Sequence, residues 1–173
     1  MMLAVALSSC AGGAPESCPP EPRAALPMTL DRARSLGYQG GSALGISASR
    51  IRGDCRPSSV DVDQVCATSA PACVREALPM FIAAQTASIP LERSSSCQGG
   101  VALESLDRDH SLVVQAAADG AALLVLAAGL HFVVLSEDGR CGACGAPEEA
   151  CLVEVTAGEL TVRDLVVDRA SHD

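Results

Sequence analysis

The feature that most constrains this chain is a series of short apolar runs, separated by turn residues, across the stretch 111–167. The runs are rich in β-branched residues and bounded by glycine or aspartate: 112–114, 123–126, 131–135, 152–155 and 160–167. Such short, bounded runs are typical of β-strands, because amphipathic helices need longer periodic segments. Asp-Gly pairs at 119–120 and 138–139 supply the positive-φ positions that tight turns need. The stretch predicts a mainly β fold.

The last run carries two period-two pairs. Leu160 and Val162 form one pair, and Leu165 and Val167 form the other after a three-residue step. Such a step lets a chain turn a corner while both pairs stay inward. The segment 158–167 therefore resembles a coil of the single-stranded right-handed β-helix of pectin-lyase-like proteins, which implies a short, incomplete right-handed β-helix of stacked strands. The competing interpretation is a small antiparallel meander or sandwich made of the same strands.

At the N-terminus, an apolar stretch from Met1 to Leu7 is followed by Ser8, Ser9 and Cys10. This segment resembles a bacterial lipobox. The resemblance implies that Cys10 is lipidated and becomes the first residue of the mature protein, with membrane lipid as its partner. The stretch departs from the family because it is short and no arginine or lysine precedes it. A plain cleaved signal and a cytosolic N-terminus are the alternatives.

Composition divides the chain into regions. They are a signal and lipobox at 1–10, a linker rich in proline and glycine at 11–28, a cysteine-rich region of loops and short helices at 29–100, and the β-strand region at 101–173. Within the third region we expect a helix at 30–36 capped by Thr29, a first strand within 40–51 and a second helix at 71–78. The length of 173 residues fits one domain.

The chain has nine cysteines. If Cys10 is lipidated, an even number remains, which in a small exported domain predicts a disulfide framework. The disulfide candidates are Cys18, Cys55, Cys66, Cys73, Cys97, Cys141, Cys144 and Cys151. Their connectivity does not follow from the sequence, but we expect Cys141, Cys144 and Cys151 to staple the loop between two strands. Disulfides would compensate for a core with 2% aromatic residues.

The charge balance excludes two classes of partner. The net charge is −9, with arginine as the basic residue throughout and no lysine. The arginines do not cluster, so the chain lacks the basic face that nucleic-acid phosphates need. The same balance argues against electrostatic docking on anionic lipid.

The motif from Cys141 to Cys144 invites a redox interpretation. A thioredoxin-like dithiol would open a long helix after a buried strand. Here Pro147 and a new strand at Leu152 leave no room for that helix. Zinc would need four ligands at paired spacings. We therefore interpret these cysteines as structural, and we predict no metal or other cofactor.

Two acidic sets are the remaining candidates for chemistry. One is Asp107, Asp109 and His110, and the other is Asp164 and Asp168 with His172. Paired carboxylates can act on a glycosidic bond or bind calcium, although both sets also fit solvated turns. His131 fits a packed or rim histidine, and no serine lies in a nucleophile elbow. No catalytic residue is predicted.

These observations favour an exported, membrane-tethered lipoprotein of the bacterial cell envelope, periplasmic or at the outer surface, with a structural or a glycan- or protein-binding role. The alternatives are a carbohydrate-active enzyme on a β-helix scaffold and an envelope thiol-disulfide protein. We interpret the tripeptide Arg52-Gly53-Asp54 as a chance match to an adhesion motif. Because the run 160–167 has no later element to cover it, we expect self-association through residues 160–167, disrupted by Val162→Pro.

Overall fold

The computed structural model describes residues 25–52, 74–77, 79–144 and 151–167. Its strands and one α-helix are α1 (Leu30–Ser35), β1 (Ala43–Arg52), β2 (Val74–Ala77), β3 (Phe81–Thr86), β4 (Val101–Ala102), β5 (Ser111–Gln115), β6 (Ala121–Val125), β7 (Gly129–Ser136), β8 (Cys141–Gly142), β9 (Leu152–Val155) and β10 (Leu160–Val167). Two short 3₁₀ helices span Ser95–Cys97 and Leu103–Ser105. The mainly β fold that the sequence predicts is confirmed.

The first sheet is built around β1. β10 lies parallel along one side of it, with Ala43 opposite Leu160. On the other side, β6 pairs antiparallel with the first half of β1, and β2 pairs antiparallel with the second half. The first strand expected within 40–51 is therefore present, and it is the central strand of this sheet.

The second sheet has the strand order β5-β3-β7-β9, with antiparallel pairing throughout. The inner faces of the two sheets pack against each other and form the main core of a β-sandwich. The large side chains of this core are Leu44, Ile46, Met80, Ile82, Leu124, Leu135 and Leu165. Alanines fill much of the remaining space, among them Ala48, Ala84 and Ala122. The core is therefore one shared layer to which both the 29–100 region and the 101–173 region contribute strands.

The strand pairing corrects the β-helix expectation. A right-handed β-helix stacks its coils with parallel strands, whereas β7 pairs antiparallel with both β3 and β9. The one parallel pair among the described strands joins β1 to β10. Apart from that pair, the described strands form an antiparallel sandwich, which fits the competing interpretation. The pattern around Leu165 does not distinguish a sandwich from a β-helix, because an edge strand and a solenoid corner both interrupt simple alternation.

The helix expected at 71–78 is also corrected. Its described part is the strand β2, because Val74–Ala77 pairs with the end of β1. Arg50 and Glu76 lie opposite each other in this pair, and Arg50 Nε is 3.0 Å from Glu76 Oε2. Cross-strand pairing and this largely buried ion pair override the local helix signals.

The expected helix after Thr29 is confirmed as α1. The Thr29 hydroxyl accepts a hydrogen bond from the Arg32 backbone N–H at 3.2 Å, which caps the helix N-terminus. Met28 and Ala33 pack against Ala121 on the outer face of the first sheet. The segment 25–38 therefore covers part of that face.

Arg32 fastens this segment to the sandwich. Its guanidinium donates to the backbone carbonyl of Asp119 at 2.9 Å and pairs with Asp119 Oδ2 at 2.7 Å. Burial raises the pKa of Asp119, but the hydrogen bonds from Arg32 and from the Ala121 N–H outweigh it, so the pKa lies below its ordinary value.

The outer face of the second sheet is covered by the long connection between β3 and β5. Ala83 and Val134 of the sheet pack against Val101, Leu103 and Leu106 of the connection. β4 in this connection pairs with β8, and Cys97 is bonded to Cys141. A second, smaller core therefore lies outside the sheet, held by a disulfide.

Candidate functional site

The first candidate is the turn at Asp107. Its Oδ1 accepts hydrogen bonds from the backbone N–H of Asp109 at 2.9 Å and of His110 at 3.1 Å. His110 Nδ1 lies 2.9 Å from the same oxygen. The hydrogen bond from the His110 side chain, with the backbone N–H groups, lowers the pKa of Asp107 below its ordinary value. At neutral pH this carboxylate is therefore ionised, and its Oδ1 is occupied by hydrogen bonds within its own turn.

The Asp107 turn is tied to the sandwich by Gln85. Gln85 is 2% exposed, and its Oε1 accepts from the Asp107 backbone N–H at 2.9 Å. Its Nε2 donates to the Ile89 carbonyl at 3.0 Å. This buried amide thus forms hydrogen bonds with both ends of the β3–β5 connection. Sequence reasoning missed Gln85, although a glutamine inside the mostly apolar run 80–87 was an available signal.

Asp107 and Asp164, one from each acidic set, lie against different sheets. Asp107 is bound to Gln85, which shares the outer face of the second sheet with Ala83. Asp164 lies in β10, on the same face as Leu160, which packs with the segment 25–38 outside the first sheet. The described carboxylates therefore lie on opposite outer faces of the sandwich and do not form the pair that glycoside hydrolysis requires.

His131 lies on the inner face of β7, opposite Thr86 and Val153. It is 7% exposed, and its Nε2 is 2.8 Å from the Ala127 carbonyl oxygen. Because a carbonyl oxygen can only accept, Nε2 carries the proton. Among the described residues, Nδ1 has no hydrogen-bond partner. The structure fits the expectation of a packed histidine.

The cysteines of the Cys141–Cys144 motif belong to different disulfides. Cys141 is bonded to Cys97, and Cys144 is bonded to Cys151. Residues 141–143 are extended, since β8 pairs with β4 and Ala143 pairs with Leu135. An extended step of three residues separates two Cα atoms by about 10 Å, beyond the roughly 7 Å that a disulfide can bridge. The structural interpretation of these disulfides fits this arrangement, and a Cys141–Cys144 dithiol site does not.

The turn before Cys141 is organised by Asp138. Its Oδ1 accepts from the backbone N–H of Arg140 at 2.8 Å, from that of Cys141 at 3.0 Å and from the Ser136 hydroxyl at 3.0 Å. These hydrogen bonds, led by the one from Arg140, lower the pKa of Asp138. The predicted Asp-Gly turn at 138–139 thus positions Cys141 for its bond to Cys97.

The second candidate is the free edge of β10. Ala43 N–H donates to the Glu159 carbonyl at 3.1 Å, which fixes the phase of the parallel pairing. From that phase, the backbone groups of Thr161 and every second residue after it point toward β1. Those of Leu160, Val162, Asp164 and Val166 point the other way. None of the other described strands pairs with β10 on that side.

Arg163 covers part of this edge. Its guanidinium Nη1 donates to the Val162 carbonyl at 2.9 Å, and that carbonyl is one of the edge-facing groups. Both Arg163 and Asp164 are exposed. The sequence predicted an open strand edge at 160–167 but assigned no role to Arg163, although a charged pair at the centre of a strand is typical of an edge position.

Several sequence-based candidates fall outside the described residues. They are Cys10, Cys18, Cys55, Cys66, Cys73, Asp168, His172 and the Gly53-Asp54 part of the tripeptide. The roles that the sequence indicates for these residues stay predictions.

Within the described ranges, no cluster of three or more histidine, cysteine, aspartate or glutamate side chains is arranged to hold a metal ion. In the same part of the chain, no helix is long and apolar enough to cross a membrane. Comparison with protein-family models, with curated proteins and with solved structures found no match.

Proposed function

We propose that this chain is an exported bacterial envelope lipoprotein, tethered through Cys10, whose β-sandwich is a non-catalytic module for binding another protein. The observation that carries the proposal is the pair of disulfides Cys97–Cys141 and Cys144–Cys151. Such bonds persist in oxidising compartments outside the cytosol. They agree with the lipobox resemblance, which is an independent feature of the chain.

Protein is favoured over glycan as the ligand. The chain has two phenylalanines, one tyrosine and no tryptophan. Phe81 packs against the smaller core, and Tyr38 packs against the cluster of Met28, Ala33 and Ala121. Few flat aromatic faces are therefore left for a sugar ring. The free edge of β10 instead offers backbone groups that recognise an extended polypeptide.

The lipid tether is tested by intact-mass analysis of the protein produced from its own gene in a bacterial host. We expect a membrane-bound species that begins at Cys10 and carries diacylglycerol on its sulfur. The matched control is Cys10→Ser, which should give a species without this added mass. Wild-type protein that retains Met1 and stays in the membrane-free fraction would contradict the proposal.

A further inference from the structure

We propose that the free edge of β10 receives an extended strand of a partner protein that carries a carboxylate opposite Arg163. This inference rests on the proposed role as a protein-binding module and names its binding surface. The surface is the row of backbone groups of Leu160, Val162, Asp164 and Val166, together with the exposed side chains of Arg163 and Asp164.

Arg163 gives this edge a preference for a strand that carries a carboxylate. Its bond to the Val162 carbonyl occupies an acceptor that an incoming strand needs. A carboxylate on that strand would draw the guanidinium into an ion pair and release the carbonyl for the new ladder. The backbone of Arg163 faces β1, so a residue directly opposite it forms a non-hydrogen-bonded pair, in which side chains approach closest.

A second copy of this chain fits the edge less well. Two β10 strands related by a two-fold axis must pair antiparallel, with a residue opposite its own copy at the centre. The registers that overlap the whole strand place Arg163 opposite Arg163 or Asp164 opposite Asp164. Like charges directly opposite each other are destabilising. Registers that avoid this contact leave about three residues of the strand unpaired.

The expected partner strand therefore has an acidic residue opposite Arg163 and a basic residue opposite Asp164. Alternating Thr and Val suits its remaining positions, because exposed Val162 and buried Val166 lie on one face of β10. The probe is the antiparallel peptide Thr-Val-Thr-Lys-Glu-Val-Thr-Val. Its control is the same peptide with Lys and Glu exchanged, which has identical composition.

The experiment titrates lipid-free full-length protein with each peptide and follows the amide signals and exchange rates of Val162 and Asp164. We expect the first peptide to slow exchange at both amides and to bind about five- to tenfold more tightly than the exchanged peptide. The doubly exchanged protein, Arg163→Asp with Asp164→Arg, should reverse this preference. Val162→Pro should abolish binding of both peptides, because it removes an edge-facing N–H.

Three outcomes would overturn the inference. Equal binding of the two peptides to wild-type protein would show that Arg163 and Asp164 do not discriminate between partner strands by charge. Protected edge amides in a monomer without peptide would show that the chain itself covers β10. A dimer in sedimentation with the same amides protected would identify a second copy as the occupant. The mass analysis of Cys10 is unaffected by any of these outcomes, so failure here and failure of the lipoprotein proposal are distinguishable.

Discussion

Gly120 illustrates how one residue joins two parts of the sandwich. Its carbonyl accepts from the Ala48 N–H at 2.8 Å, so the β5–β6 turn lies directly against β1. A Cβ at this position would be 2.1 Å from the Ala48 carbonyl oxygen, and φ is +79°. The sequence predicted a turn at Asp119-Gly120 from the residue types alone. The contact with Ala48 was not predictable, because it depends on which strand the turn meets.

We expect Gly120→Ala to be much more destabilising than Gly158→Ala. Gly158 has a similar φ of +74° but no atom within 4 Å of the added Cβ. Gly158→Ala should therefore cost the left-handed strain alone, about 1–2 kcal/mol. Gly120→Ala should cost roughly 1–3 kcal/mol more, because backbone must move. Urea unfolding of both variants measures the difference, and equal losses would contradict the close approach to β1.

Three aspartates make stability dependent on acid pH. The folded-state pKa values of Asp107, Asp119 and Asp138 all lie below the ordinary value of 3.8. A lowered folded pKa means that the folded state binds the proton more weakly than the unfolded state does. The stabilisation is therefore complete above pH 3.8 and is lost as the pH falls through the folded values.

Asp138→Asn tests this linkage. We expect wild-type thermal stability to fall most steeply below pH 3.8, and the variant to be less stable at neutral pH with a shallower acid decline. The matched control is Asp31→Asn, which removes one carboxylate from an exposed position on α1. A variant with the full wild-type slope would show that Asp138 contributes nothing to it.

At the scale of elements, β10 is fully paired on the side of β1 and unpaired, among the described strands, on the other side. Its eight residues all have partners on β1, yet its other side has none among the described strands. The sequence predicted the strand and an open edge. It did not predict the parallel partner, because β1 lies more than a hundred residues earlier and period-two patterns carry no pairing information.

Proline substitutions distinguish the two sides of β10. Val162→Pro removes an N–H that faces the edge, so we expect a small loss of stability. Arg163→Pro removes an N–H that faces β1, and should cost at least about 1 kcal/mol more. Chemical unfolding of both variants gives the comparison. A larger loss for Val162→Pro would mean that the phase of the β1–β10 pairing is the opposite of the one described.

The disulfides should differ in their contributions. The Cys97–Cys141 bond closes a separation of 44 residues, and Cys144–Cys151 closes one of 7. Loop-closure entropy assigns them ~4 and ~2.5 kcal/mol respectively. We expect Cys97→Ser with Cys141→Ser to lower the free energy of unfolding more than Cys144→Ser with Cys151→Ser. The reverse order would show that the long connection is already held without its disulfide.

At the scale of the whole molecule, the order in which the strands pair decides which side chains lie close together, and so which chemistry the fold permits. The β-helix resemblance pointed toward carbohydrate chemistry, and it depended on local alternation that a sandwich shares. The sandwich places Asp107 and Asp164 on opposite faces, and no described strand pairs with the side of β10 that points away from β1. The cysteine count predicted disulfides, and the two described bonds confirm this, but the count could not give their connectivity, because spacing in the sequence does not report proximity in the fold.

We propose that the protein is an exported, oxidised sandwich in which Cys141 and Cys144 do not form a dithiol site. The most direct measurement is a disulfide map by mass spectrometry of protein isolated from the bacterial envelope, with free thiols alkylated at harvest. We predict Cys97–Cys141 and Cys144–Cys151 linked peptides, with none of these four cysteines alkylated. Alkylated thiols at these positions, or a bond between Cys141 and Cys144, would contradict the account.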